Sequence, residues 1–262
     1  MKYDLEIVSH AYAMAHHVYR AHLQYQLASL FYFAPSQYKV CYSVCYTPAD
    51  IEVVQYLREA KPHLPSHLTL NPVPMNPGAL FRRAVGRNVR ALMGEANVYW
   101  FADVDYCFGH RCLETLIEKT NVTTGLVYPG NLWINQDHAT GDQLCEPDKV
   151  EKLFPVLPTG GFMFHKQKRC IGGIHVIGRD RLMAINPGNG KPYGYINGHS
   201  RCQPVDPSEG FRQCRCDIPF KSAHSPAVTI DIPNVFRIRH TEAGRCMDAT
   251  GKRIVEMKGN HD

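Results

Sequence analysis

Val98-Tyr99-Trp100-Phe101-Ala102-Asp103-Val104-Asp105 is the stretch on which the reading of this chain turns. An apolar run that cannot itself hold a charge is followed at once by two carboxylates. In extended chain, residues two apart project from the same face. Asp103 and Asp105 therefore converge, and paired carboxylates suit a hard, oxygen-seeking cation such as Mg2+ or Mn2+. The bland alternative is a solvated turn, and what surrounds the pair decides between the two.

Working outward, the first half alternates strand-like and helix-like segments, the pattern of a mostly parallel sheet flanked by helices. Asp4 to Ser9 reads as a strand. Helical spacing of apolar residues runs from about His16 to Phe33, where Pro35 stops it, and Tyr38 to Tyr46 is a second strand. Thr47 is the expected N-cap of a helix running to about Ala60, with Pro48 at its first position. Leu68 to Asn71 reads as a strand, Pro72 to Gly78 as a loop, Leu80 to Met93 as a helix ending at Gly94, and Val98 to Ala102 as the strand that delivers the aspartates. Beyond Asp105 a helix near Arg111 to Lys119 and a strand near Thr123 to Tyr128 are expected, then long Gly- and Pro-rich connections suited to an acceptor. The expected organisation is one domain over residues 1–262, with a boundary inside the one fold near Cys107.

In open α/β sheets, ligands bind beyond the carboxyl ends of strands. Ser9 and His10 stand at such an end, as do Asp103 and Asp105. Arg83 and Arg87 are spaced i, i+4 on the preceding helix, so they share a face able to meet a diphosphate or ribose; the competing reading is a solvated basic face.

Arg87-Asn88, an apolar strand and then Asp103-Val104-Asp105 resemble the helix, strand and DxD order of GT-A fold glycosyltransferases of the family 2 type. Thr159-Gly160-Gly161-Phe162-Met163-Phe164 resembles the small-residue strand beneath that family's donor sugar. Arg212 to Lys221, holding Asp217 and Phe220, resembles its acidic-then-aromatic catalytic segment. Phe236-Arg237-Ile238-Arg239-His240-Thr241 resembles the C-terminal strand whose histidine completes the metal shell. The resemblance implies a single Rossmann-like GT-A domain, with residues 1–106 as its nucleotide-sugar-binding half and 107–262 as its loop-rich acceptor and catalytic half. It implies a divalent cation on Asp103, Asp105 and His240, and a nucleoside-diphosphate sugar held by Ser9, His10, Arg83, Arg87, Asn88, Asp103, Gly160 and Gly161. An inverting transfer needs a carboxylate near the acceptor hydroxyl, for which Asp217, Glu209 and Asp206 are the candidates, Asp217 first. The chain departs from the family pattern where adjacent Glu and Asp are expected, which leaves the stereochemistry open. It departs again at Val44-Cys45-Tyr46-Thr47, where acidic residues usually hold the base; Tyr46 or Tyr12 could stack on it instead.

Composition bounds these readings. The chain has 262 residues, 44% of them hydrophobic, enough for a sizeable core. No apolar run reaches the roughly 18 to 20 residues of a membrane span, and Met1-Lys2-Tyr3-Asp4-Leu5 does not open a signal peptide, so a soluble cytoplasmic protein with reduced thiols is expected. The net charge of +5, clustered at Arg82 to Arg90 and Arg237 to Arg253, favours an anionic partner. The acceptor is unspecified; a glycan or a hydroxylated base in DNA both suit. His199, Cys202, Cys214 and Cys216 form H-x2-C and C-x-C, a candidate structural zinc set, although isolated cysteines are commonly small buried hydrophobes. Walker A, G-x-G-x-x-G, G-x-S-x-G and H-E-x-x-H motifs are absent. A metal-dependent nucleotidyltransferase and a non-catalytic nucleic-acid-binding module are the rival readings.

Overall fold

A computed structural model describes residues 1–12, 18–120, 125–206 and 216–241. The chain runs β1 (Tyr3–His10), α1 (Val18–Phe33), β2 (Val40–Tyr46), α2 (Ile51–Ala60), β3 (Leu68–Pro74), α3 (Pro77–Leu80), α4 (Arg83–Met93) and β4 (Ala96–Ala102). It continues through β5 (Tyr106–Phe108), α5 (Cys112–Thr120), β6 (Val127–Pro129), β7 (Asn131–Asn135), α6 (His138–Leu144), β8 (Phe162–Lys166), β9 (Ile174–Gly178) and α7 (Arg179–Met183). It ends with β10 (Ile185–Asn186), β11 (Lys191–Pro192), α8 (Asp217–Ala223), β12 (Val228–Ile230) and β13 (Val235–Arg237).

Seven strands form the main sheet in the order β12-β6-β9-β4-β1-β2-β3. Strands β3, β2, β1 and β4 are mutually parallel, β12 is parallel to β6, and β9 runs antiparallel to both β4 and β6. The mostly parallel α/β architecture expected from the sequence is present. Central strands β1, β2 and β4 read as near-continuous apolar runs because helices cover both faces of a parallel sheet. Trp100, Phe101 and Tyr42 are wholly enclosed there. A second sheet, β5-β13-β7-β8, was not foreseen. Its strands are three to five residues long, too short to stand out in sequence.

Several boundaries differ from the sequence reading for identifiable reasons. The N-cap of α2 is Asp50, whose carboxylate accepts the Val53 N–H, rather than Thr47. Strand β3 continues through Pro72 and Pro74, which is tolerated because β3 is a sheet edge and needs no donor on its open side. The helix expected from Leu80 is two pieces, α3 and α4, divided at Phe81–Arg82. Thr159–Gly161 is a single 3-10 turn ahead of β8, and His240 lies beyond β13 rather than within it.

The topology fixes where a ligand can sit. From β1 the chain builds β2 and β3 to one side, then crosses to place β4 on the other. The carboxyl ends of β1 and β4 therefore flank a topological switch point, the crevice that open α/β sheets offer to ligands. His10 ends one of these strands and Asp103 follows the other.

Candidate active site at the switch point

Asp103-Val104-Asp105 is a turn between β4 and β5, not the extended segment anticipated. Both residues line one pocket from this turn, and the turn is clamped from the core. Gln26, buried on α1, donates through Nε2 to the carbonyls of Asp103 (3.0 Å) and Tyr106 (2.8 Å), and its Oε1 accepts from Tyr42 Oη (2.5 Å). The Asp105 carbonyl accepts the Ile238 N–H at 2.8 Å, which ties β13 to the same turn.

Arg83 and Arg87 do not form a solvated face. Both reach Asp103 Oδ1, Arg83 through Nη1 in a close ion pair and Arg87 through Nη2 at 2.8 Å. One turn further along α4, Arg90 donates through Nε to the buried Glu6 of β1 at 2.6 Å. Arg87 is entirely buried, and its Nη1 also donates to Gly172 O and Tyr195 Oη, each at 2.9 Å. Burial opposes its charge, yet Tyr195 and Asp103 more than compensate, and its pKa stands above the ordinary arginine value. The Tyr195 hydroxyl, having accepted from Arg87, faces His175 Nδ1 at 3.2 Å. Burial, then Arg87, holds His175 well below the usual histidine range.

Asp105 is held from the other side. Arg237 Nε donates to its Oδ2 at 3.1 Å, and Arg237 is pushed above its ordinary value by Tyr106 first and Asp105 second. Asp105 Oδ1 is buried with no hydrogen-bond partner among the described residues. His10, Tyr12, Tyr19, Arg83, Asp103, Val104, Asp105 and His240 line one pocket of about 30 Å³, room for about one water. His240 Nδ1 donates to Thr241 O (2.7 Å), and its ring lies 4.6 Å from that of His22 on α1. His10 is buried with neither ring nitrogen partnered among the described residues, and burial, then Arg87 and Arg83, lowers its pKa far enough to keep it neutral. Its ring stacks at 6.2 Å on Tyr12, which in turn stacks at 6.2 Å on Phe81.

Two adjacent glycines that sequence reasoning missed close the site. A Cβ on Gly173 would stand 2.6 Å from Tyr106 Cε2 and 3.0 Å from Asp103 Oδ2, and one on Gly172 would stand 3.3 Å from Asp217 Cβ. Gly172–Gly173 thus lets the start of α8, with Asp217, approach the Asp103 side of the pocket. The signal available was the pair itself, lying just before the apolar run of β9.

Other candidates are placed elsewhere. Ser9 Oγ donates to Ala102 O (3.3 Å), joining β1 to β4 inside the sheet. Asn88 Oδ1 accepts the Tyr195 N–H at 3.0 Å and so secures the loop carrying Tyr195. Gly160 and Gly161 are exposed on the turn before β8 and are not among the residues lining the pocket. Tyr46 does not line it either, whereas Tyr12 does. Asp206 is exposed, and Glu209 lies outside the described residues. Among the described residues no three His, Cys, Asp or Glu side chains form a ready-made metal-holding group. His199 Nδ1 accepts the Arg201 N–H and the Cys202 thiol donates to Tyr195 O and Ile196 O; Cys216 is buried, and Cys214 lies outside the described residues. Cys41, Cys45, Cys145 and Cys170 carry free thiols pushed up to about 12 by burial. Among the described residues no helix is long and apolar enough to cross a membrane.

No family model and no curated protein matches this chain. Among solved structures it is similar to S. aureus TarS 1-349, at 16% identity and a TM-score of 0.34 over 51% of this chain and 36% of that one. It is similar likewise to TarS 1-349 in complex with UDP (16%, TM-score 0.35, 51% and 36%) and in complex with UDP-GlcNAc (16%, TM-score 0.35, 51% and 34%). The chain thus spans about a third of the length of those structures.

Proposed function

We propose that the protein is a divalent-metal-dependent glycosyltransferase that moves a sugar from a nucleoside-diphosphate sugar to an acceptor hydroxyl. The observation that carries the reading is the gathering of Asp103, Asp105, His240, His10 and Arg83 on one pocket at the β1/β4 switch point.

The donor set fits a metal in its chemistry. Two carboxylates and an imidazole suit Mn2+ or Mg2+, and Asp105 Oδ1 is a buried acceptor without a partner among the described residues. Asp103, Asp105 and His240 would hold the ion, with Arg83 and Arg237 releasing the carboxylates they now pair. The ion, when bound, supplies Lewis-acid stabilisation of the charge that develops on the diphosphate. The released guanidinium groups of Arg83 and Arg237 then stand beside the same anion and can bind it in bidentate fashion. Neutral His10 offers the donor an uncharged hydrogen-bonding edge, and Tyr12 offers its nucleobase a face. Asp217 removes the proton from the acceptor hydroxyl as its oxygen bonds to the anomeric carbon and the bond to the diphosphate breaks. Arg87 and Arg90 are committed to internal carboxylates, which withdraws two arginines of the main basic patch from the nucleic-acid-binding alternative.

The test is a panel of sugar nucleotides incubated with Mn2+ or Mg2+. Release of nucleoside diphosphate supports the reading. Release of pyrophosphate from nucleoside triphosphates would indicate nucleotidyl transfer instead, and turnover of no sugar nucleotide would overturn the proposal.

A further inference from the structure

We propose that the pocket between the Asn186–His199 loop and the C-terminal end of α8 is a saccharide-binding subsite, one that takes an uncharged sugar ring of the acceptor. As an acceptor subsite it rests on the transferase reading; as a saccharide site it does not. The pocket holds about 190 Å³, below the ~300–1,000 Å³ of sites for drug-sized ligands, and suits a single ring. Asn186, Asn189, Asn197, His199, His224 and Tyr193 lie on its walls, and among the described residues no Asp, Glu, Lys or Arg does. Amides, imidazoles and one aromatic ring match a polyhydroxylated neutral ligand, and the Arg181 guanidinium, 4.5 Å over the Tyr193 ring, is a fixed charge beside that lining.

His224 supplies the specific hydrogen-bonding argument. Its Nδ1 accepts from Arg181 Nε at 3.1 Å, which puts the proton of the neutral ring on Nε2. That N–H is buried without a partner among the described residues. A buried donor left unsatisfied is costly, and a ligand hydroxyl that reaches it would satisfy it. Burial first and Arg181 second lower the His224 pKa to about 4, so the ring stays neutral. The wall opposite is held in an unusual conformation: Ile196, a β-branched residue, has φ 55°, between Gly194 (φ 50°) and Gly198 (φ 80°). Such residues persist only where the surroundings over-determine them. Here Tyr195 is the anchor, stacked on Phe220 at 4.2 Å and bonded to Arg87, so this loop is fastened to the arginine that grips Asp103. Helix α8 spans the two places, with Asp217 at its start and Ala223 at its end. Seven helical residues cover roughly 10 Å, about the reach of a disaccharide from the proposed base to the pocket.

The experiment is ligand-observed saturation-transfer NMR on the full chain. Lactose, maltose, cellobiose and N,N′-diacetylchitobiose are offered separately, with a 12-nucleotide single-stranded DNA as the polyanion. At least one disaccharide is expected to show transfer, weakened at least tenfold in His224→Leu and reduced in His199→Ala, whose exposed position spares the fold. Asp105→Asn should leave it unchanged. Absence of transfer to every disaccharide, signals insensitive to both pocket variants, or binding of the DNA alone would overturn the subsite. Disaccharide binding without turnover of any sugar nucleotide would keep the subsite and overturn the transferase reading; turnover without disaccharide binding would do the reverse.

Discussion

Arg87 Nη2 lies 2.8 Å from Asp103 Oδ1, and the guanidinium that makes this contact has no solvent exposure. Asp103 is thus both the counter-charge of a buried cation and a candidate ligand. Removing one partner of a buried pair typically costs about 3–5 kcal/mol. Arg87→Met and Asp103→Asn are therefore expected to lower stability in chemical denaturation by amounts of that order. Asp105→Asn, whose partner Arg237 is partly exposed, should cost much less. Equal, small effects for all three would show that the buried pair does not hold the site.

Arg83 and Arg237 compete with any cation for the two carboxylates. Removing one guanidinium frees a carboxylate and removes a like charge, so Arg237→Ala should tighten Mn2+ binding by up to about tenfold, the equivalent of 1.4 kcal/mol. Turnover of the sugar nucleotide should fall in the same variant, because the diphosphate loses a cationic partner. Titration calorimetry with Mn2+, paired with a hydrolysis assay, reads both; weaker metal binding in the variant would contradict the exchange.

Gly86 carries α4 against β1. A Cβ there would collide with His10 Nε2 and stand 2.7 Å from Cys45 Sγ. Gly86→Ala should cost about 1–3 kcal/mol, as overpacking does. It should also displace His10 from the pocket. A thermal melt and a nucleotide-binding measurement check the two effects.

His175 and His224 have pKa values lowered by burial first and neighbouring arginines second. Because the folded values lie below the unfolded value near 6.5, the unfolded chain takes up protons first as pH falls. Stability from these rings is complete above about pH 6.5 and declines below it, at up to about 1.4 kcal/mol per pH unit for each. For His224 the decline ends near pH 4. Urea midpoints between pH 7.5 and 5 should fall accordingly; midpoints constant over that interval would contradict neutral buried rings.

Much of this was legible where periodicity was strong. Strands β1, β2 and β4 and the address of Asp103 followed from apolar runs, and the i, i+4 spacing of Arg83 and Arg87 correctly made them neighbours on one face. Which way that face pointed was not legible, because an arginine row reads the same toward solvent or toward buried carboxylates. Gln26, Tyr195 and Gly172–Gly173 were missed for a related reason. Their contacts with the site join residues 45 or more apart in sequence, and no local pattern marks a glutamine that will clamp a distant turn. The second sheet escaped because strands of three residues carry too little alternation to register.

The most direct measurement of the central claim is calorimetric binding of nucleoside diphosphates and their sugars in the presence of Mn2+, for the native chain and for Asp105→Asn. The native protein should bind at least one sugar nucleotide in a Mn2+-dependent manner, and Asp105→Asn, still folded, should lose at least tenfold in affinity. Failure of the native chain to bind any of them, or binding indifferent to both the metal and Asp105, would contradict the placement of a donor site at the β1/β4 switch point.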